Sequence, residues 1–168
     1  MRTLILFRHA KAERRAASGE DHDRDLTDRG MTDAVIMGKA LAAKGLAPDL
    51  ALVSGAVRTR STWAGLAPAF PNARFEVDEE LYNAPAAALV AAAQASGEPG
   101  VVMVVAHNPG LHEASLRLAI EGGTGAAALH QLRQGMPTAT AGVFDLSGPA
   151  PRLADWLLAR DFGGGAGE

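Results

Sequence analysis

Val101 to Ala106 reads Val-Val-Met-Val-Val-Ala, and this run without a polar residue constrains the fold more than any other feature. A strand with one wet face alternates apolar and polar residues. A short run that does not alternate fits a strand buried on both faces, as in a parallel sheet covered by helices on either side. Thr3 to Phe7 and Asp49 to Ser54 read the same way, and Arg74 to Val77 is a weaker fourth candidate.

Helical patterns fill the intervals. Asp28 or Thr27 caps a helix carrying Ala34, Met37, Ala40 and Leu41 towards Gly45. A second follows Ser54-Gly55, carries Arg58, Thr62 and Leu66, and is stopped by Pro68. Asn83 and Pro85 open an Ala-rich third that ends near Gly97, and a fourth runs from Pro109-Gly110 to Gly122-Gly123. A weaker helical stretch lies around Ala126 to Gln134. Thr138 to Leu146 and Arg152 to Leu158 flank the turn Ser147-Gly148-Pro149 and read as antiparallel strands, although the second segment also suits a helix. The expectation is an α/β fold: a three-layer α/β/α sandwich, its sheet mostly parallel, with an antiparallel edge hairpin near the C-terminus. The 168 residues suit one domain, expected over 1–162, with 163–168 as a flexible tail.

Composition narrows the chemistry. The chain has no cysteine, which excludes a disulfide scaffold, a thiolate metal site and a cysteine nucleophile. With 16 Lys and Arg against 19 Asp and Glu, it has no basic excess to coat a nucleic-acid backbone. The apolar run from Arg2 to His9 is too short to span a membrane and has no small-residue cleavage site after it, so no membrane partner and a cytoplasmic location are expected.

Ligands of such sheets bind at the carboxyl ends of the strands. Arg8-His9 ends the first strand: a guanidinium fork suits phosphate, and the adjacent imidazole can be base, nucleophile or ligand. Ser54 to Thr62 is a strand, a small-residue turn and a helix whose first turn carries Arg58, a pattern that makes an anion site. His107-Asn108-Pro109-Gly110 places His107 at the sheet edge beside free N–H groups. Each has a plain alternative: a partly buried His9, a solvated Arg58 or Arg60, a satisfied turn histidine. The convergence of Arg8, His9, Arg58 and His107 on one edge weighs more than any single motif.

Those residues, with Leu26-Thr27 to Gly30, Ser54 to Thr62 and Glu80, resemble the histidine phosphatase superfamily. The short length, Asp21-His22-Asp23-Arg24 before Leu26-Thr27, and His107-Asn108-Pro109-Gly110 are similar to its small SixA-type phosphohistidine phosphatases. The similarity runs from Arg2 to about Asp161, with one departure, Ala10 where the superfamily usually has Gly.

The resemblance implies a phosphatase in which neutral His9 attacks phosphorus and forms a covalent phosphohistidine that water hydrolyses. Arg8, Arg58 and an imidazolium at His107 would hold the phosphoryl oxygens, with Asn108 in the phosphate-binding set and Glu80 as proton donor, beside Glu79 and Asp78. No cofactor and no metal is expected, because the cations come from the side chains. The expected partner is a phosphorylated protein, a phosphocarrier or phosphorelay domain, since no segment is long enough for a lid and the site should be shallow. Lys11, Asp21, His22, Asp23 and Arg24 either frame that partner or form a polar surface loop. The alternatives are a general phosphomonoesterase for small esters and a non-catalytic phosphoresidue-binding module. His112, His130, Trp63 and Trp156 read as structural or surface residues.

Overall fold

A computed structural model describes residues 1–98 and 100–167. Six strands, β1 Thr3–Arg8, β2 Leu50–Ser54, β3 Arg74–Asp78, β4 Val101–Ala106, β5 Thr140–Asp145 and β6 Arg152–Leu158, form one sheet in the order β3-β2-β4-β1-β5-β6. The first four are parallel; β5 joins β1 antiparallel and β6 joins β5 antiparallel. The expected sandwich is the observed one, and Arg152–Leu158, open between two readings, is a strand.

Alternation of side chains along β1 explains the layers. Leu4 and Leu6 point into one apolar cluster, Ile5 and Phe7 into the other, and all four are wholly buried. The first cluster is closed by α3 Ala86–Ala95, α4 Gly110–Glu121 and α5 Ala126–Arg133, through Leu89, Leu111 and Leu132. The second is closed by α1 Asp28–Ala43 and α2 Val57–Leu66, through Met37, Leu41, Trp63 and Leu66. The unalternating apolar run of β4 is thus the physical cause of the three layers.

Two boundary details bear on the site. The hydroxyl of Thr27 accepts the N–H of Gly30 at 3.0 Å and caps α1, while the carbonyl of Lys11 accepts the N–H of Thr27 at 2.9 Å. A side chain on Gly30 would place its Cβ 2.0 Å from that carbonyl oxygen, so only glycine lets α1 start this close to the segment following His9. At the other end of the chain, the segment expected as a tail folds back. The N–H of Gly164 donates to Ala159, and that of Gly165 to the buried carboxylate of Asp33 on α1, both at 2.9 Å. Glu168, the last residue of the expected tail, lies outside the described residues.

Candidate active site

Register brings the strand ends level. Arg8 pairs with Ala106 and Val53 with Val105, so His9 and His107 emerge level with each other and Ser54 one residue before them. Arg8, His9, Arg58, His107 and Asn108 line one cavity of about 300 Å³ with Lys11, Ala12, Asp21, Arg24, Asn83 and Thr138.

His9 is 8% exposed, and its Nδ1 lies 2.8 Å from the carbonyl oxygen of Ala10. A carbonyl only accepts, so Nδ1 carries the hydrogen and Nε2 keeps its lone pair. Burial lowers the pKa of His9 to about 3, with the nearby guanidiniums of Arg8 and Arg58 acting in the same direction. The ring is therefore a neutral base with an available nitrogen at neutral pH. The Ala10 N–H donates to Thr62 Oγ1 at 3.0 Å, and Thr62 donates to the carbonyl of Arg58 at 2.6 Å. Thr62 thus ties the His9 loop to the helix carrying Arg58.

His107 is 4% exposed and its ring centroid is 5.3 Å from that of His9. Its Nε2 lies 2.7 Å from Ser54 Oγ, and its Nδ1 is buried with no partner among the described residues. Burial, then the charges around it, lowers its pKa to about 3. Burial thus opposes the imidazolium expected at this position.

The guanidinium of Arg58 is buried and already engaged. Nη1 donates to the backbone carbonyl of Asp21 at 2.8 Å and Nη2 to its carboxylate at 3.0 Å. Tyr82 donates to the same carboxylate at 2.6 Å, and Arg24 pairs with its other oxygen. The Tyr82 hydroxyl, ahead of the two arginines, holds Asp21 well below the usual carboxylate range. A carboxylate thus occupies the guanidinium that the sequence reading gives to an anion. The segment between β1 and α1, too short for a lid by length alone, reaches the site as one wall.

Two expected site residues are placed differently. Glu80 is exposed and does not line the cavity; its N–H donates to Asp78 Oδ1 at 2.9 Å, in a 3-10 turn. Glu79 lies over Gly55 and its carboxylate pairs with His22 Nε2 at 3.1 Å. Asn108 does line the cavity, but its Nδ2 donates at 2.9 Å to the Met136 carbonyl, which also accepts Arg8 Nη1 at 2.7 Å. Its Oδ1, without a partner among the described residues, is an acceptor and repels a phosphoryl oxygen. Asn108 helps hold the Met136 carbonyl that orients Arg8. Among the described residues no three His, Asp or Glu gather in a metal-binding group. His112 bonds the Leu132 carbonyl, Arg60 and His130 are exposed, and Trp63 packs on Phe70, as their plain readings require.

The two lowered histidines make stability depend on pH. Unfolded, both take up protons as pH falls through about 6.5; folded, they do so only near 3. Between those values the unfolded chain binds more protons, so stability falls as pH falls. The melting temperature of the wild type is expected to drop more steeply from pH 7 to pH 4 than that of His107→Asn, and equal slopes count against the buried neutral imidazole.

The family described as the histidine phosphatase superfamily (branch 1) matches residues 4–88. A crystal structure from Agrobacterium tumefaciens assigned as the phosphohistidine phosphatase SixA is 33% identical, with a TM-score of 0.81 over 94% of this chain and 97% of that one. A Nakamurella multipartitia structure with the same assignment is 27% identical, with a TM-score of 0.82 over 94% and 95%. An uncharacterised protein of Mycobacterium tuberculosis is 33% identical over 129 residues, 76% of this chain and 80% of its own length.

Proposed function

Because this chain belongs to the histidine phosphatase superfamily and is of the SixA type, we propose that it removes the phosphoryl group of phosphohistidine on a protein, through a covalent intermediate on His9. The Nε2 lone pair of His9 forms the new N–P bond as the N–P bond of the substrate breaks, and the departing imidazole takes a proton from solvent. Water then attacks the phosphorus, the bond to Nε2 breaks, and inorganic phosphate leaves. Arg8, Arg58 and His107 face the equatorial oxygens, where charge gathers during transfer. Phosphate displaces the Asp21 carboxylate from Arg58 as it binds.

One observation supports the choice of substrate: among the described residues, the cavity lining holds no neutral carboxylic acid. Glu80 lies outside it, and the one carboxylate among the described lining residues, Asp21, is held ionised. An alkoxide, whose parent acid has a pKa near that of water at about 15.7, does not leave without a placed acid. Imidazole, with a conjugate acid near about 6.5, is protonated by solvent. N–P cleavage fits this site and ester cleavage does not.

A panel of phosphohistidine protein, phosphoserine peptide and sugar phosphate, each with and without chelator, tests the reading. Turnover of the first, unchanged by chelator, is expected; turnover of sugar phosphate alone overturns it. Glu80→Gln is expected to change phosphohistidine turnover by no more than about twofold, as for a solvated charge off the reaction path. A tenfold loss returns Glu80 to the role of acid.

A further inference from the structure

We propose that Ser54 is a positioning residue: its hydroxyl donates to Nε2 of His107 and so holds the hydrogen of that ring on Nδ1, ready for a phosphoryl oxygen. The tautomer stands on the contact between Ser54 and His107 and on the burial of that ring; its consequence for turnover rests on the phosphatase reading above.

Ser54 ends β2, wholly buried, and the only partner of its Oγ among the described residues is His107 Nε2, at 2.7 Å. Two polarities satisfy that distance. If Nε2–H donated to Oγ, the serine proton would have no acceptor and Nδ1 would be a bare lone pair. Two groups would then be mismatched in a dry site. If Oγ–H donates to Nε2, the serine is satisfied and one group is left over, an Nδ1–H. The second arrangement costs less, because each unmet buried polar group carries its own desolvation penalty. It also matches the ligand: a bare Nδ1 repels a phosphoryl oxygen, whereas Nδ1–H donates to it.

The hydroxyl matters because the ring is neutral. A protonated imidazole has hydrogens on both nitrogens and needs no tautomer control, but burial keeps His107 uncharged at neutral pH. A neutral ring has one N–H, and its position decides whether His107 attracts or repels the phosphoryl group. Tyr82 meets the ring edge-on at 5.5 Å and 88°, and His9 flanks it at 5.3 Å, so the plane is constrained as well. The sequence separates Ser54 from Arg58 by four residues, so one strand-to-helix turn supplies both the guanidinium and the tautomer lock.

Long-range nitrogen–proton NMR of the imidazoles in the full chain at pH 7.5 reads the tautomer without any substrate. The wild type is expected to show His107 protonated at Nδ1 and bare at Nε2; protonation at Nε2 overturns the proposal. Ser54→Ala is expected to move the hydrogen wholly or partly to Nε2, the nitrogen a free neutral histidine prefers, and an unchanged spectrum also overturns it. With inorganic phosphate as probe, Ser54→Ala is expected to bind about tenfold more weakly, the scale of a lost charge-assisted hydrogen bond. Ser54→Thr, which keeps the hydroxyl, is expected to retain the wild-type tautomer. A changed tautomer with unchanged phosphate affinity overturns the link to the ligand. A wild type with the Nδ1 tautomer but no turnover of any phosphorylated substrate fails the phosphatase reading and leaves the tautomer lock standing.

Discussion

His9→Ala is expected to abolish turnover, with a loss of about 10⁴-fold or more, the scale seen when a covalent nucleophile is removed. The size follows from what the position supplies. Among the described residues, Nε2 is the one nitrogen in the cavity left with a lone pair, since Nδ1 is committed to Ala10 and His107 takes its hydrogen bond from Ser54. Burial keeps that lone pair unprotonated far below neutrality. No cysteine exists to replace it. Rapid quenching of wild type with phosphorus-labelled phosphohistidine protein is expected to leave label on the enzyme, lost in acid and stable in alkali, as a phosphoramidate requires. The variant is expected to take no label. Normal turnover by His9→Ala ends the covalent mechanism. The substitution removes one hydrogen bond and a small buried ring at the sheet edge, and it also removes a group that resists protonation, so the folded variant is expected to survive at mildly acid pH.

Arg58→Ala is expected to lose about 10² to 10³-fold in kcat, as for a deleted donor to a developing oxyanion. Arg58 is buried, so its charge acts on the phosphoryl group with little screening, and no other described residue reaches the cavity from α2. Arg58→Lys is expected to recover only part of the loss, because one ammonium replaces a planar fork. Asp21→Asn separates binding from self-occlusion. Its carboxylate competes with phosphate for the same edge of Arg58, so removing the charge is expected to tighten inorganic phosphate binding by a few-fold, as for a half-exposed ion pair worth about 0.5 to 1 kcal/mol. Steady-state kinetics with a phosphate inhibition series reads both. Weaker phosphate binding by Asp21→Asn makes that carboxylate a positioning group, whereas full activity of Arg58→Ala removes it from the site.

Residues at strand ends were legible because their positions follow from periodicity. Once β1, β2 and β4 are read as buried parallel strands, Arg8, His9 and His107 must emerge at one edge and Arg58 in the first turn of the following helix. Glu80 was not legible. Its place depends on a local bond between Asp78 and its own backbone, which turns the chain by one 3-10 step and leaves the side chain in solvent. The partner of Asn108 was equally hidden, because Met136 lies 28 residues further on and meets it only when the segment before β5 folds across. Ser54 and Thr62 carried a faint signal, each four residues from Arg58, but small hydroxyl residues near a helix start are usually capping groups.

By itself, the sequence determined the layer architecture and which residues stand at the strand ends, His9 and His107 among them, because apolar periodicity and chain connectivity are local properties. The tertiary structure alone decided the electrostatic state of that edge. Both histidines are neutral because strands and helices distant in sequence exclude water from them. Asp21, 37 residues before Arg58, occupies its guanidinium, and Ser54 meets His107 across 53 residues. Protonation, pairing and tautomer depend on who is next to whom and on how much water remains, and neither quantity is written in any stretch of adjacent residues.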